Sequence, residues 1–259
     1  GFGFKISAAP FQMWAPDVYE GAPTPITAFL SVASKAAGFA LAIRIFYTVF
    51  NGTEVSVEWG QIIAILSVLS MSLGNLIAIK QKNIKRLLAY STIAQAGYIM
   101  VGLAAMSMSG NNYGPDGILF YLAGYVMTNL TAFGIIILVC SKTENYSINK
   151  FSNLLKTSPV LAIAMTLSML SLIGIPPTVG FIGKVYLFSA AIDSGLTWLA
   201  IFGVLNSVVS AYYYLNIVKI MFMGSPEENH DNEGDSISIK IGFITTISAL
   251  FNSERLSLN

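Results

Sequence analysis

Three lysines lie inside or beside strongly apolar stretches, where a charge is unfavourable. Lys5 precedes Pro10 by five residues, Lys35 lies within SVASKAAGF, and Lys184 follows Pro177 by seven residues. A lysine at the centre of a membrane helix costs about 2.5 to 3.5 kcal/mol on the insertion scale, so such side chains face a protein interior or a wet cavity and mark ion pathways. Burial also favours the uncharged amine. The chemistry that this pattern predicts is the uptake and release of protons.

A structural alternative applies to each basic residue. Long basic side chains near a helix end can reach the membrane interface while the stem stays in apolar surroundings. Lys35 lies ten residues after Pro25 and Lys184 lies between two apolar stretches, so interfacial anchoring fits both of them poorly. Arg44 lies nearer to a loop, and there the two interpretations fit equally well.

The overall composition predicts a membrane protein. The 259 residues are 54% hydrophobic and 10% charged, against about 25% charged in an average soluble domain. A single cysteine, Cys140, excludes an internal disulfide, and a single histidine, His230, leaves no His/Cys cluster for zinc or an iron–sulfur centre. A net charge of +1 offers no basic face for nucleic acid. We therefore expect a lipid bilayer around the chain, no metal site and no nucleic acid.

Apolar stretches of about 20 residues, the length that spans a bilayer, recur along the chain. A longer stretch, 160–192, would extend about 50 Å as one helix, so it must break. Gly174-Ile-Pro-Pro177 marks the break because proline removes an amide donor, and Pro10 interrupts the opening stretch similarly. The predicted fold class is all-α, a polytopic transmembrane helix bundle with discontinuous helices. The five predicted spans are 26–50, 62–79, 87–108, 118–140 and 198–223.

The loops between these spans differ in charge. Segments 80–86 and 142–156 and the end of the last span carry lysine and arginine, whereas 51–59 and 109–116 carry none. Basic loops stay on the cytoplasmic side, so the basic loops are expected to share that side. The same rule explains KQKNIKR at 80–86, which would suggest nucleic acid in a soluble protein.

Polar residues inside the spans could connect the lysines into a relay. Unwound backbone at a helix break offers carbonyl groups and helix ends for the same purpose. Each polar residue alone is more often a packing hydrogen bond than a relay member. The candidates are Gln12, Asn75, Gln95, Tyr98, Thr128, Asn129, Ser207 and Ser210.

Three segments resemble a known family, the antiporter-like membrane subunits of proton-pumping NADH:quinone oxidoreductase, respiratory complex I. FKISAAPFQMWAPDVYEGAPTPITAFLSVASKAAGFALAIRIF (4–46) is similar to the family's seventh and eighth helices. NIKRLLAYSTIAQAGYIMVG (83–102) resembles the tenth helix, and LSLIGIPPTVGFIGKVYLFSAAI (170–192) the broken twelfth. The lysine in SVASKAAG favours the N-type subunit over the L and M types, which carry histidine thereabouts.

The resemblance implies an inverted-repeat antiporter architecture, with Lys5, Lys35 and Lys184 as the lysines of the seventh, eighth and twelfth helices that translocate protons. It also implies coupling to electron transfer from NADH to quinone elsewhere in the complex. NADH, FMN, iron–sulfur clusters and quinone are then expected on or near other subunits, with no cofactor on this chain. The implied partners are other membrane-arm subunits and the lipid of a bacterial inner membrane, which the chain crosses several times.

Two positions depart from the family pattern. Gln12 and Gln95 stand where family members often carry histidine, and glutamine does not titrate, so a proton would pass there by ordered water. The resemblance implies that the family's fifth-helix glutamate, the partner of its seventh-helix lysine, lies upstream of this sequence. Asp17 and Glu20 are expected in a loop on the basic side, where they cannot replace it.

The expected organisation is a proton-translocating domain at 1–224, an acidic loop at 225–236, and the start of a truncated last helix with a tail at 237–259. We expect the sequence to be the C-terminal half of a longer protein. Two other functions stay open: a stand-alone or hydrogenase-associated Mrp-type cation/proton antiporter, and a structural subunit whose lysines only anchor helices.

Overall fold

The computed structural model describes residues 1–49, 53–109, 113–140 and 145–224, and in these ranges the chain is a bundle of helices without a β-strand. The expected acidic loop 225–236 and tail 237–259 lie outside the described residues. The described helices are α1 (Phe2–Ile6), α2 (Trp14–Gly21), α3 (Thr24–Phe29), a π-helical segment (Leu30–Ser34), α4 (Lys35–Thr48), α5 (Thr53–Ala78), α6 (Ile84–Ser109), α7 (Tyr113–Cys140), a 3₁₀ turn (Ile148–Phe151), α8 (Leu154–Thr157), α9 (Pro159–Ile173), α10 (Val179–Asp193) and α11 (Thr197–Met223).

Five helical segments are long and apolar enough to cross a membrane, which confirms the five predicted spans and a multi-pass membrane protein. Several of them begin earlier than the apolar run, because polar residues such as Lys85 and Arg86 continue the helix past its apolar part. The segments are Thr24–Phe46, Glu58–Ala78, Ile84–Ser107, Gly114–Cys140 and Thr197–Met223.

The two predicted helix breaks are present. Helix α9 ends at Ile173. The next residue, Gly174, has a φ of 86°, the left-handed conformation that glycine adopts without penalty. The chain restarts as α10 after Thr178, whose hydroxyl accepts a hydrogen bond from the amide of Phe181 at 3.4 Å. The first break has the same feature. Helix α1 ends at Ile6, the next residue, Ser7, is also left-handed with a φ of 59°, and α2 begins at Trp14.

The first span contains a feature that the sequence did not indicate. Between α3 and α4 the helix widens into a π-helical segment at Leu30–Ser34, immediately before Lys35. Such π segments are rare and occur often at functional sites. The side chain of Lys35 therefore leaves the helix at an irregular turn.

Helix α6 is the centre of the bundle. In its most apolar stretch 94% of the residues are buried, against 33% to 44% in the other four spans. It lies close to α5, because a Cβ atom added at Gly97 would be 2.8 Å from the amide nitrogen of Met71. Close approach of backbones through small residues is typical of membrane helix pairs, and here it fixes α6 in the interior.

The basic segments lie at one end of the bundle. The amide of Ile84 donates to the carbonyl of Tyr146 at 2.8 Å, and that of Ile148 to Lys82 at 3.0 Å, so segments 82–84 and 146–148 are adjacent. The end of α11 is there too, since a Cβ added at Gly224 would lie 3.0 Å from Ser152. Which side of the membrane this end faces stays a prediction.

Two expectations about this end were wrong. Asp17 and Glu20 lie on helix α2 and not in a loop, because Pro16 falls in the first turn, where a helix tolerates proline. Lys85, assigned to a basic loop, lies in the first turn of α6 and is buried. The expectation that Asp17 and Glu20 lie at the basic end was right, because both pair with Arg86.

Candidate functional site

Lys184, on α10, binds the C-terminal end of α9, the helix that precedes α10 in the chain. Its side chain is 4% exposed, and its Nζ donates to the carbonyl of Ile173 at 2.8 Å and to that of Leu172 at 3.3 Å. The last carbonyl groups of a helix have no partner within the helix. The end of α9 therefore supplies acceptors for an ammonium group inside the bundle.

Lys184 has two further polar neighbours. Its Nζ donates to the hydroxyl of Ser207 on α11 at 3.1 Å and lies 4.1 Å from the centre of the Tyr98 ring, a cation–π arrangement. The backbone approaches the lysine stem closely, because a Cβ added at Gly174 would be 3.0 Å from its Cδ. The position thus needs glycine for its space as well as for its φ.

Lys35 is buried on another side of α6. It is 2% exposed, and its Nζ donates to the carbonyl of Thr92 on α6 at 2.7 Å and to that of Ile6 at 3.2 Å. Ile6 is the last residue of α1, so this ammonium group also binds the end of an interrupted helix.

Neither buried lysine has a carboxylate partner within the described ranges. The ion pairs found there join Arg86 to Asp17 and Glu20. Carbonyl and hydroxyl groups are neutral dipoles that only partly replace water around a charge. Each lysine can therefore hold a proton, while the balance between its two forms depends on charges that come near it.

Lys5 does not join this arrangement in the described chain. Its residue is exposed, although α1 packs beside α4, where the Lys5 Cγ would lie 3.6 Å from a Cβ added at Gly38. The structure thus brings Lys35 and Lys184 to opposite parts of one polar network and leaves Lys5 at the surface. The role of Lys5 in proton transfer stays a prediction.

A chain of hydrogen bonds runs along α6 from an acceptor of Lys184 to Ser91. Gln95 Nε2 donates to the carbonyl of Leu172 at 3.0 Å, which is also an acceptor for Lys184. The same nitrogen donates to the hydroxyl of Tyr214 at 3.4 Å, and this hydroxyl is hydrogen-bonded to Ser91. Ser91 is the neighbour of Thr92, whose carbonyl binds Lys35, so the polar chain reaches from one lysine to the vicinity of the other.

A second polar group extends from Tyr98 away from Lys184. Asn75 Nδ2 donates to the Tyr98 hydroxyl at 3.3 Å and to the carbonyl of Asn206 at 3.1 Å, while its Oδ1 accepts from Tyr213 at 2.9 Å. These contacts join α5, α6 and α11. Of the two predicted relay candidates here, Tyr98 contacts Lys184 directly and Asn75 is linked to it through the Tyr98 hydroxyl.

The other relay candidates have different positions. Ser207 binds Lys184 directly, and Ser210 donates to the carbonyl of Ser207 at 2.7 Å. Asn129 binds the carbonyl of Tyr125 in its own helix at 2.9 Å. Thr128 is hydrogen-bonded to the hydroxyl of Ser171 at 3.2 Å. In the described structure, no hydrogen bond joins Thr128 or Gln12 to the chain along α6.

Sequence reasoning missed several members of the network. Tyr121 donates to Gln95 Oε1, and Tyr214 and Ser91 continue the chain. A usable signal was the spacing on α6, where Ser91, Gln95 and Tyr98 follow one another by four and three residues and share one face. Tyr121 and Tyr214 carry no such signal, since tyrosine is common in apolar spans.

Residues 1–210 match the family model described as the NADH:quinone oxidoreductase/Mrp antiporter transmembrane family. The chain belongs to this family. Its members include proteins named NADH-quinone oxidoreductase subunit N from Dehalococcoides mccartyi, 51% identical over 230 residues, and NAD(P)H-quinone oxidoreductase subunit 2 from Trichormus variabilis, 52% identical over 231 residues. These alignments cover 88% and 89% of this chain but 47% and 43% of the relatives, so the chain spans a little under half their length.

Solved structures of the same family share the fold. A chain of respiratory complex I from Thermus thermophilus superposes with a TM-score of 0.73 at 32% identity, covering 100% of this chain and 56% of that one. A chain of the membrane-bound sulfane sulfur reductase, an archaeal respiratory membrane complex, superposes with a TM-score of 0.80 at 26% identity, covering 98% and 52%. These likenesses confirm the all-α, antiporter-like membrane architecture. The solved relatives belong to complexes of several subunits.

Side chains that commonly bind metal ions are not grouped together in the described part of the chain. No group of three or more His, Cys, Asp or Glu side chains there could hold a metal ion. That the chain itself binds no cofactor stays a prediction.

Proposed function

We propose that this chain is part of an N-type membrane subunit of NADH:quinone oxidoreductase that translocates protons across a bacterial inner membrane. Relatives of about half identity carry that subunit's name, and the chain covers part of their length. In the proposed complex, electrons pass from NADH to quinone through FMN and iron–sulfur clusters on or near other subunits. The partners of this chain are the neighbouring membrane-arm subunits and lipid.

The observation that carries the proposal is a pair of buried lysines beside one polar chain on α6, which starts at an acceptor of Lys184 and ends at Ser91, the neighbour of the Thr92 that binds Lys35. Lys35 and Lys184 each bind the terminal carbonyl of an interrupted helix, and Gln95 lies between them. Burying two such groups without counter-charges is unfavourable, so a role in anchoring alone explains them poorly. A group that gains and loses a proton explains both their burial and their neutral partners.

The proposed mechanism is electrostatic. Charges interact strongly in an interior of low effective dielectric constant, so a proton that arrives at Lys35 disfavours one on Lys184, and the reverse. A change of charge beside one lysine thereby passes to the next, and Lys184 releases the proton towards the far side. Gln95 does not titrate; it would orient ordered water and the hydroxyl groups of Tyr121 and Tyr214. Lys5 is included in the proposal as the first lysine of the path.

Replacing each lysine by methionine in the full-length subunit of the assembled complex tests the proposal. Proton uptake and NADH oxidation are measured together in proteoliposomes for Lys35→Met and Lys184→Met. We expect assembled complexes that move fewer protons per electron. The matched control is Lys80→Met, which removes an exposed lysine at the basic end and leaves the ratio unchanged. Normal pumping by both variants would support the structural reading of the lysines.

A cation/proton antiporter is the second candidate function. It is favoured by one observation, the description of the family model that matches residues 1–210, which names the Mrp antiporter beside NADH:quinone oxidoreductase. An antiporter exchanges protons for Na⁺ or K⁺ without NADH. Cation-dependent proton release from vesicles that contain the full-length subunit, in the absence of NADH and quinone, would favour this candidate over the first.

A further inference from the structure

Lys85 is a third buried lysine, and nothing in the relay uses it. It lies in the first turn of α6 at the basic end of the bundle, 2% exposed. Its Nζ donates to the carbonyl of Ala22 at 2.6 Å and to that of Glu20 at 2.8 Å, and it lies 4.4 Å from the centre of the Tyr146 ring. Its neighbours Lys80 and Lys82 are exposed, as expected for residues of a basic loop.

The carbonyl groups that Lys85 binds belong to the end of α2. This helix ends at Gly21, and the next residue but one, Pro23, has no amide hydrogen to offer. A cation at the C-terminal end of a helix also interacts favourably with the helix dipole. Lys85 thus satisfies the end of α2 and fixes the short connection from which α3 starts.

Other contacts strengthen the same junction. Arg86 pairs with Glu20 at 2.7 Å and with Asp17 at 2.9 Å, and Asn83 Nδ2 donates to Glu20 at 2.9 Å. The start of α6 therefore holds α2 through the side chains of Asn83, Lys85 and Arg86. Only Lys85 among them is buried.

The junction and the Lys35 site lie on the same face of α6. Lys85 and Thr92 are seven residues apart, which is about two helical turns, or about 10 Å. Residues at this spacing share one helix face. Lys85 binds the chain just before α3, and Thr92 binds Lys35 at the start of α4, so both contacts join α6 to one continuous helical segment, α3 to α4.

We propose that Lys85 is a positioning residue for proton transfer at Lys35. By holding the end of α2 against the first turn of α6, it sets how α3 and α4 lie along α6 and keeps Lys35 Nζ within 2.7 Å of the Thr92 carbonyl. This inference rests on the proposed function, because it gives Lys35 a part in proton transfer. Without the Lys85 contacts, the segment shifts along α6, and a misplacement of about 1 Å lowers a transfer rate by about a hundredfold.

The test is Lys85→Met in the full-length subunit of the assembled complex. We expect assembly and NADH oxidation to be retained while the protons moved per electron through this subunit fall by about tenfold or more, within the range for misplaced groups. Lys85→Arg keeps a donor for the two carbonyls and is expected to restore most of the pumping. Lys80→Met, which changes an exposed lysine at the same end of the bundle, is expected to behave as the parent protein.

The outcomes separate this inference from the proposed function. Normal pumping by Lys85→Met, or no recovery with Lys85→Arg in an assembled complex, overturns the role of Lys85. Normal pumping by Lys35→Met overturns the proposed function instead. If Lys85→Met does not assemble, Lys85→Gln takes its place, because its nitrogen is uncharged, lies one bond nearer to the backbone and cannot hold both carbonyl groups as the ammonium does: reduced pumping supports the inference, and normal pumping overturns it.

Discussion

At Lys35 and Lys184 the Nζ atom binds the last carbonyl group of a helix that is followed by a left-handed residue. For Lys184 the acceptor is Ile173, followed by Gly174; for Lys35 it is Ile6, followed by Ser7. The difference lies in where the lysine comes from. Lys184 belongs to the continuing half of the broken helix, whereas Lys35 reaches the break from a separate span.

This difference shows what a helix break contributes inside a membrane. The break supplies carbonyl groups that no backbone amide uses, and these are acceptors that the bilayer itself cannot offer. A lysine from either the same or a neighbouring helix can use them. Lys184 gains a hydroxyl and an aromatic ring as well, whereas Lys35 depends on how α1, α4 and α6 pack together.

Arginine at the two sites would separate proton transfer from charge anchoring. Lys35→Arg and Lys184→Arg keep a cation and its donors, but a guanidinium does not release its proton. We expect proton transfer through the subunit to fall by about a hundredfold, the lower range for loss of a positioned acid–base group. Proteoliposome pH measurements check this. Full pumping by either Arg variant would assign that lysine an anchoring role only.

Gln95→Leu would disconnect the two sites. The change removes the donor to Leu172 and the acceptor for Tyr121, and a buried polar group left without a partner costs about 1 to 3 kcal/mol. We expect a lower unfolding temperature of the purified subunit and reduced pumping. Gln81→Leu, at the basic end, is the control and removes only a local bond to Ile77. Unchanged pumping in Gln95→Leu would mean that the sites work independently.

Substitutions at Ser7 and Gly174, the residues that follow α1 and α9, are expected to change the stability of the protein in opposite directions. Gly174→Ala places a side chain at φ 86° and 3.0 Å from Lys184 Cδ, so we expect a loss of about 1 to 2 kcal/mol. Ser7→Gly relieves the same conformation and removes a buried hydroxyl that has no hydrogen-bond partner in the described structure, so a small gain is expected. Thermal unfolding of both variants is the measurement. A change of the unfolding temperature in the same direction for both variants would contradict the similarity of the two breaks.

Arg86→Gln should have the smallest effect. Its ion pairs with Asp17 and Glu20 lie at a surface where Asp17 has 74% of its side chain exposed. Exposed ion pairs contribute about 0 to 1 kcal/mol and weaken with salt. We expect a loss below about 1 kcal/mol that disappears at high ionic strength. A larger, salt-independent loss would show that Arg86 shares the role proposed for Lys85.

The sequence predicted features that depend on one segment at a time. Span length, the break at Gly174 and the isolation of Lys35 and Lys184 in apolar stretches all follow from local composition, and the family resemblance pointed to the same architecture. Features that depend on packing between segments were missed. Lys85 looked like any loop lysine, because its burial comes from α2 and Tyr146, which are distant in the sequence.

The π-helical segment before Lys35 and the hydroxyl groups of Tyr121 and Tyr214 were missed for the same reason. Apolar stretches in the sequence do not reveal which helix is surrounded by the others, so α6 was predicted to be an ordinary span. Because 94% of the most apolar stretch of α6 is buried inside the bundle, this helix can carry the polar residues Ser91, Gln95 and Tyr98 without exposing them to lipid.

The enclosure of α6 also bears on how such a bundle is built. A helix without a lipid-facing side gains little from the bilayer as solvent. Its stability in the membrane must come from α5, α7, α10 and α11 around it. We therefore expect α6 to enter the membrane together with α5, the helix whose backbone approaches it closely at Gly97.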